Sequence, residues 1–168
     1  MTTRILPATA DPSVTKTMTS KTVEERLRLF LLDLSGVMCL GAIVELWLAG
    51  HTQQLIQFLP FVLCGLGLAA VIGVLLHPSR STIWALRFVM GIAAVGSLIG
   101  AYEHITSNLE VVREVNPGLA LVDALWQAAR GAAPLLAPGV LALAALVAMA
   151  ATYYHPALGN RAGRSGDR

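Results

Sequence analysis

The first thing this chain is short of is charge. Only 13% of its 168 residues are Asp, Glu, Lys or Arg, roughly half the share of an ordinary soluble domain. Cysteine is nearly absent. Cys39 and Cys64 are the only two, both inside apolar runs, so neither a disulfide framework nor a metal signature can be built from them. We read both as small helix-packing residues. No nucleotide-binding loop, catalytic triad, metal-binding motif or dense acidic motif occurs, so an enzyme of the soluble type is not expected. With a net charge of only +2, no nucleic-acid partner is expected either.

What the chain has instead is apolar length. Hydrophobic residues make up 55% of it, and the mean hydropathy is +0.66. A soluble protein of this size could not bury so much apolar surface, so the solvent is lipid. Four segments approach the roughly 20 apolar residues that a bilayer core demands. They run from about Leu29 to Ala49, Phe58 to Leu76, Ile83 to Tyr102 and Leu135 to Tyr154. The first is too long for the apolar region of a signal peptide and has no small-x-small cleavage site before polar sequence. The expected fold is therefore an all-α integral membrane protein with four transmembrane helices, residues 23–156.

Residues 1–22 read as a disordered cytoplasmic tail. A helix is then expected to begin at "KTVEERLRLF", with Thr22 as N-cap and Glu25 three residues on. Residues 157–168 form a basic tail, and the outer loop of the second half spans about 104–133. Within that loop, Leu121, Val122, Leu125, Trp126 and Ala129 share one helical face. A short interfacial helix is expected there, with Trp126 at headgroup depth.

Basic residues set the orientation. Ten of the twelve Lys and Arg fall on one side of the spans, leaving Arg113 and Arg130 on the other. The positive-inside rule then makes both termini cytoplasmic, and the composition suits a bacterial inner membrane.

Two apolar runs stop in the same way, at His77-Pro78 and at His155-Pro156. Shifted by 78 positions, Pro60, Val62, Leu63, Leu68, Ala70, His77 and Pro78 fall on Pro138, Val140, Leu141, Leu146, Ala148, His155 and Pro156. Shifted by 55, "GVMCLGAIVELW" falls on "GIAAVGSLIGAY". The pattern reads as two tandem helical hairpins in parallel orientation. Small residues at four-residue steps (Gly65, Ala69 and Gly73; Gly96 and Gly100), together with the alanines of the last span, provide close helix packing.

An ionisable residue inside a span is a functional candidate. Asp33 and Arg87 lie at similar depth near the basic end, and an intramembrane ion pair is expected between them. Glu45, His51, Glu103 and His104 cluster at the opposite ends of spans one and three. Carboxylate with imidazole suits a transition metal or a proton relay, although none of the four shows the spacing of a helical metal motif. His77 and His155 are expected as repeat-related helix ends. Haem ligation would need both imidazoles to face each other inside the bundle.

These observations support three roles. The favoured one is a non-enzymatic accessory or structural membrane subunit, bound to a membrane-protein partner or to copies of itself. The second is a small proton-coupled transporter-like oligomer using Glu45. The third is a metal- or redox-binding membrane protein with its site at the outer ends of spans one and three. No cofactor is required by the sequence.

Overall fold

The computed structural model describes residues 12–53, 55–131 and 135–159. It is 85% helical, with no strand among the described residues. Five helices follow one another: α1 (Pro12–Leu48), α2 (Leu59–Leu76), α3 (Arg80–Val115), α4 (Leu121–Ala129) and α5 (Leu136–Thr152). Short 3-10 turns occupy Leu55–Phe58 and Pro156–Leu158. The segments Val23–Leu48, Leu55–Leu76 and Arg80–Val115 are long and apolar enough to cross a membrane, as an integral membrane protein requires. α5 is apolar but shorter, at 17 residues.

Three boundaries differ from the sequence expectation. α1 begins at Pro12 rather than at Thr22. Proline is tolerated in a first helical turn, and neither Gly nor Pro interrupts the chain from there to Gly36. Residues 1–11 of the expected tail lie outside the described residues, as do 160–168. The second difference is at the far end of α3, which does not stop near Tyr102 but continues as one helix to Val115. Most of the expected loop before Asn116-Pro117-Gly118 is therefore helical. The segment "EHITSNLEVVREV" is polar, but it contains neither Gly nor Pro, and its Glu, Arg and Leu residues are good helix formers. The third is the end of α5, at Thr152 rather than Tyr154.

α1, α2, α3 and α5 form a ring. α1 packs on α2 and α5, and α3 packs on the same two helices. α1 and α3 thus stand diagonally opposite, and so do α2 and α5, which barely touch. Each helix contributes one inward stripe at helical spacing. On α1 it is Leu32, Ser35, Gly36, Cys39, Ala42 and Leu46; on α2 it is Leu63, Cys64, Gly67, Val71 and Val74. α3 supplies Ile83, Leu86, Met90, Ala93 and Ser97. α5 supplies Leu141, Ala144, Ala145, Ala148, Ala151 and Thr152. Both cysteines are fully buried and free, as helix-packing residues should be.

The buried hydroxyls are all satisfied by carbonyls. Ser35 Oγ donates to the Ala144 carbonyl at 2.9 Å and ties α1 to α5. Ser97 and Thr152 donate back to Ala93 and Ala148 of their own helices, the usual use of hydroxyls inside helices. The outward faces are apolar as well: Val37, Leu40, Val44, Leu66, Phe88, Val95 and Leu98 are all exposed. In water this surface would be an aggregation site; in lipid it is a solvent-matched exterior.

α4 forms where a short helix is expected, and it meets α3 through the face opposite its large apolar residues. Ala124 and Ala128 are buried against α3, and Asn108 Nδ2 of α3 donates to the Ala128 carbonyl at 2.9 Å. Leu121, Val122, Leu125 and Trp126 stay exposed on the outside, with the Arg130 guanidinium 4.3 Å from the Trp126 ring centre.

Candidate functional site

The two ends of the bundle differ in chemistry. At the end away from Arg28 and Arg87, α1 stops in a tight reversal at Gly50, whose φ of +67° places it in the left-handed region. The Gly50 N–H donates to the Trp47 carbonyl at 3.1 Å and the His51 N–H to the Leu46 carbonyl at 3.0 Å. This is a Schellman motif, which needs a residue without a Cβ at its left-handed position. It fixes where His51 leaves the helix.

His104 approaches from α3. The two imidazole centres are 6.0 Å apart, with ring planes inclined by 33°. Both residues are half-buried. His104 lies just beyond the apolar run that ends at Tyr102. Of the four residues expected to converge at this end, the structure thus joins two. Glu45 is half-buried on α1 and Glu103 is exposed on α3. Neither completes a three-ligand metal set with the histidines, and no such set of His, Cys, Asp or Glu occurs among the described residues.

At the opposite end, the expected Asp33–Arg87 ion pair is not formed. Arg87 turns instead to the C-terminus of α5. Its Nη2 donates to the Thr152 carbonyl at 2.5 Å and the Tyr153 carbonyl at 3.2 Å, and its Nε donates to Thr152 Oγ1 at 3.3 Å. The guanidinium also lies 5.5 Å from the Trp84 ring centre. Arg28 of α1 reaches the same place, donating to the Tyr154 carbonyl at 3.2 Å while pairing with Glu24 at 3.6 Å. Two arginines from diagonal helices therefore hold carbonyls at the C-terminus of α5 and just beyond it, at the negative end of its dipole, where the Thr152 carbonyl also accepts the His155 N–H at 3.3 Å.

Asp33 is left exposed on the outward stripe of α1 with Phe30, Val37 and Leu40. No ion pair reaches it among the described residues. On α2, Gly65, Ala69 and Gly73 also turn away from the core; a Cβ on either glycine would meet nothing within 4 Å. On α2 the close approach is made by Gly67, which the four-residue spacing does not pick out. A Cβ there would lie 3.2 Å from Met90 Cε and 3.3 Å from Cys39 Sγ. On α3 it is made by Gly96, which that spacing does pick out, where a Cβ would lie 2.9 Å from Leu63 Cδ1.

His77 and His155 play different local parts. His77 ends α2 with its N–H on the Gly73 carbonyl, and its side chain is exposed. His155 precedes the last 3-10 turn, and its Nδ1 accepts from the Ala157 N–H at 3.2 Å. Burial, then the Arg28 and Arg87 cations, keep the His155 imidazole below its ordinary range. Folding thus favours the neutral ring. Its contribution to stability is complete above the unfolded value of about 6.5 and is lost as pH falls below it. Between pH 7.5 and 5.5 the melting temperature in detergent is expected to drop more for the wild type than for His155→Asn, whose amide retains an acceptor for Ala157. Equal drops would show that His155 does not carry the effect.

No family model matches this chain, and no curated protein or solved structure matches it.

Proposed function

We propose that this chain is a four-span accessory subunit of a bacterial inner membrane, with both termini cytoplasmic, that docks a partner membrane protein on the outward face of α1. Asp33 is the observation that carries this reading. It lies about 7 Å deeper than Arg28 along the helix, on a stripe otherwise made of apolar side chains. A charged side chain facing lipid is costly, about 2.5–3.5 kcal/mol at the centre of a span and less toward its ends, so such residues are normally paired. The cations of this chain at comparable depth are engaged, Arg28 with Glu24 and Tyr154, Arg87 with Thr152 and Tyr153. The exposed Arg26 lies about 10 Å from Asp33 along α1 toward the basic end, so a second copy would bring no free cation to the level of Asp33. The complementary occupant is a helix of a different chain that presents Arg or Lys at this level, and the outward small-residue run of α2 gives it a surface of close approach.

The span count and the duplication belong to the same proposal. α5 is about 26 Å long, close to the roughly 30 Å of a bilayer core, and Tyr153 and Tyr154 follow it as interfacial aromatics. Pro60 and Pro138 both occupy first turns, and the counterpart helices stand on opposite corners of the ring. A two-fold axis along the membrane normal would relate two hairpins in this way.

The test is purification in mild detergent with quantification of associated membrane proteins. Asp33→Leu is expected to cut recovery of a stoichiometric partner at least tenfold while leaving the folded yield of this chain unchanged or higher. Asp33→Arg combined with a reversed charge on the partner should restore it. A wild-type protein that purifies alone, or a partner indifferent to Asp33→Leu, would remove the reading.

A further inference from the structure

We propose that His51 and His104 form a two-imidazole site for a divalent transition-metal cation at the end of the bundle opposite Arg28 and Arg87. The site stands apart from the docking reading, since α1 rises about 22 Å from Asp33 to its end at Leu48, and His51 lies beyond that end. The separation of the two rings admits a shared ion. An ion bound to a ring nitrogen at about 2.0–2.1 Å lies about 3.2 Å from the ring centre. Two rings on one ion then have centres about 5 Å apart for a tetrahedral angle and about 6.4 Å apart for a linear one. The observed 6.0 Å lies between these limits, whereas an inclination of 33° is neither parallel nor edge-on.

Two further observations point to a ligand. Neither imidazole donates or accepts a hydrogen bond within the described residues, so the nitrogens of two half-buried rings are left for something else. Both are also held by backbone that is itself fixed. His51 leaves α1 through the Schellman motif at Gly50, and His104 sits within the continuous α3. Because no third His, Cys, Asp or Glu among the described residues completes the set, water fills the remaining positions. Imidazole selects zinc, copper or nickel over calcium and magnesium, which prefer oxygen. A bound ion joins the outer ends of α1 and α3, which otherwise pack through α2 and α5.

Zinc chloride titrated by calorimetry into the full chain, without an affinity tag and in detergent micelles, tests this. One Zn2+ per chain is expected, with no heat from Mg2+. His51→Gln and His104→Gln should each weaken binding at least tenfold, whereas His77→Gln should leave it unchanged. Gly50→Ala, which strains the reversal that aims His51, should weaken it by a smaller factor. Binding should raise the melting temperature of the wild type and not that of the His51→Gln/His104→Gln double variant, whose own melting curve reports whether it is folded. Cu2+ in the same site should show two coordinated imidazole nitrogens by pulsed electron paramagnetic resonance. Equal affinity in wild type and double variant, half an ion per chain, or a copper spectrum with fewer than two imidazole nitrogens would overturn the proposal.

Discussion

Arg87→Met is expected to destabilise the bundle by about 2–3 kcal/mol, the range for a hydrogen-bonding set in which the donor is charged. Methionine keeps most of the stem beside Trp84 and removes only the fork. Three bonds disappear together: two to the terminal carbonyls of α5 and one to Thr152 Oγ1. Thr152 itself is fully buried, and without Arg87 its carbonyl keeps only the His155 N–H at 3.3 Å. The threonine hydroxyl still has Ala148 and Met149 as acceptors, so the loss falls on the carbonyls. Arg87→Lys should recover only part of the stability, because an ammonium cannot span the fork that reaches Thr152 and Tyr153 at once. Reversible unfolding in mixed micelles measures both variants. Wild-type stability in Arg87→Met would mean that the clamp contributes nothing.

Gly67→Leu should cost about 3 kcal/mol, the upper end for an overpacked core, or prevent folding altogether. A single added carbon at Gly67 already meets Met90 and Cys39 more tightly than nine in ten natural contacts, and leucine adds three carbons more where α1, α2 and α3 meet. The control is two residues away. Gly65 faces outward with open space around it, so Gly65→Leu should be neutral or mildly stabilising through its better helix propensity. If the two substitutions have equal effects, the assignment of inner and outer faces on α2 is wrong.

That contrast shows where the sequence is legible. Apolar runs of bilayer length and their Gly and Pro punctuation locate α2 and α5 to within a residue or two, and the amphipathic pattern locates α4. The inner face of a membrane helix is harder to read. When both core and solvent are apolar, no hydrophobic asymmetry marks the buried side. The outward stripe of Gly65, Ala69 and Gly73 therefore looks like an interface, while Gly67 goes unnoticed. The far third of α3 is obscured for the opposite reason: polar residues resemble a loop, although a helix in water is polar too. The candidate site is legible in half. Spans one and three do bring His51 and His104 together, and the Gly50 that aims His51 is visible as a helix stop signal. Matching Asp33 with Arg87 by charge fails because the carbonyls at a helix end compete for the arginine, and they carry no letter of their own in the sequence.

The ring of contacts also orders the assembly of the protein in time. α1, α2 and α3 leave the ribosome in sequence, and each of these neighbours pairs with the one just made. α5 comes last, after the long excursion through α4, yet it alone supplies the fourth side between α1 and α3. Until it arrives, Ser35 has no Ala144 carbonyl to bind, and both Arg28 and Arg87 lack their acceptors on α5. The nascent chain is therefore an open three-helix trough with one unsatisfied wall, and its shortest apolar helix is the latch that closes it.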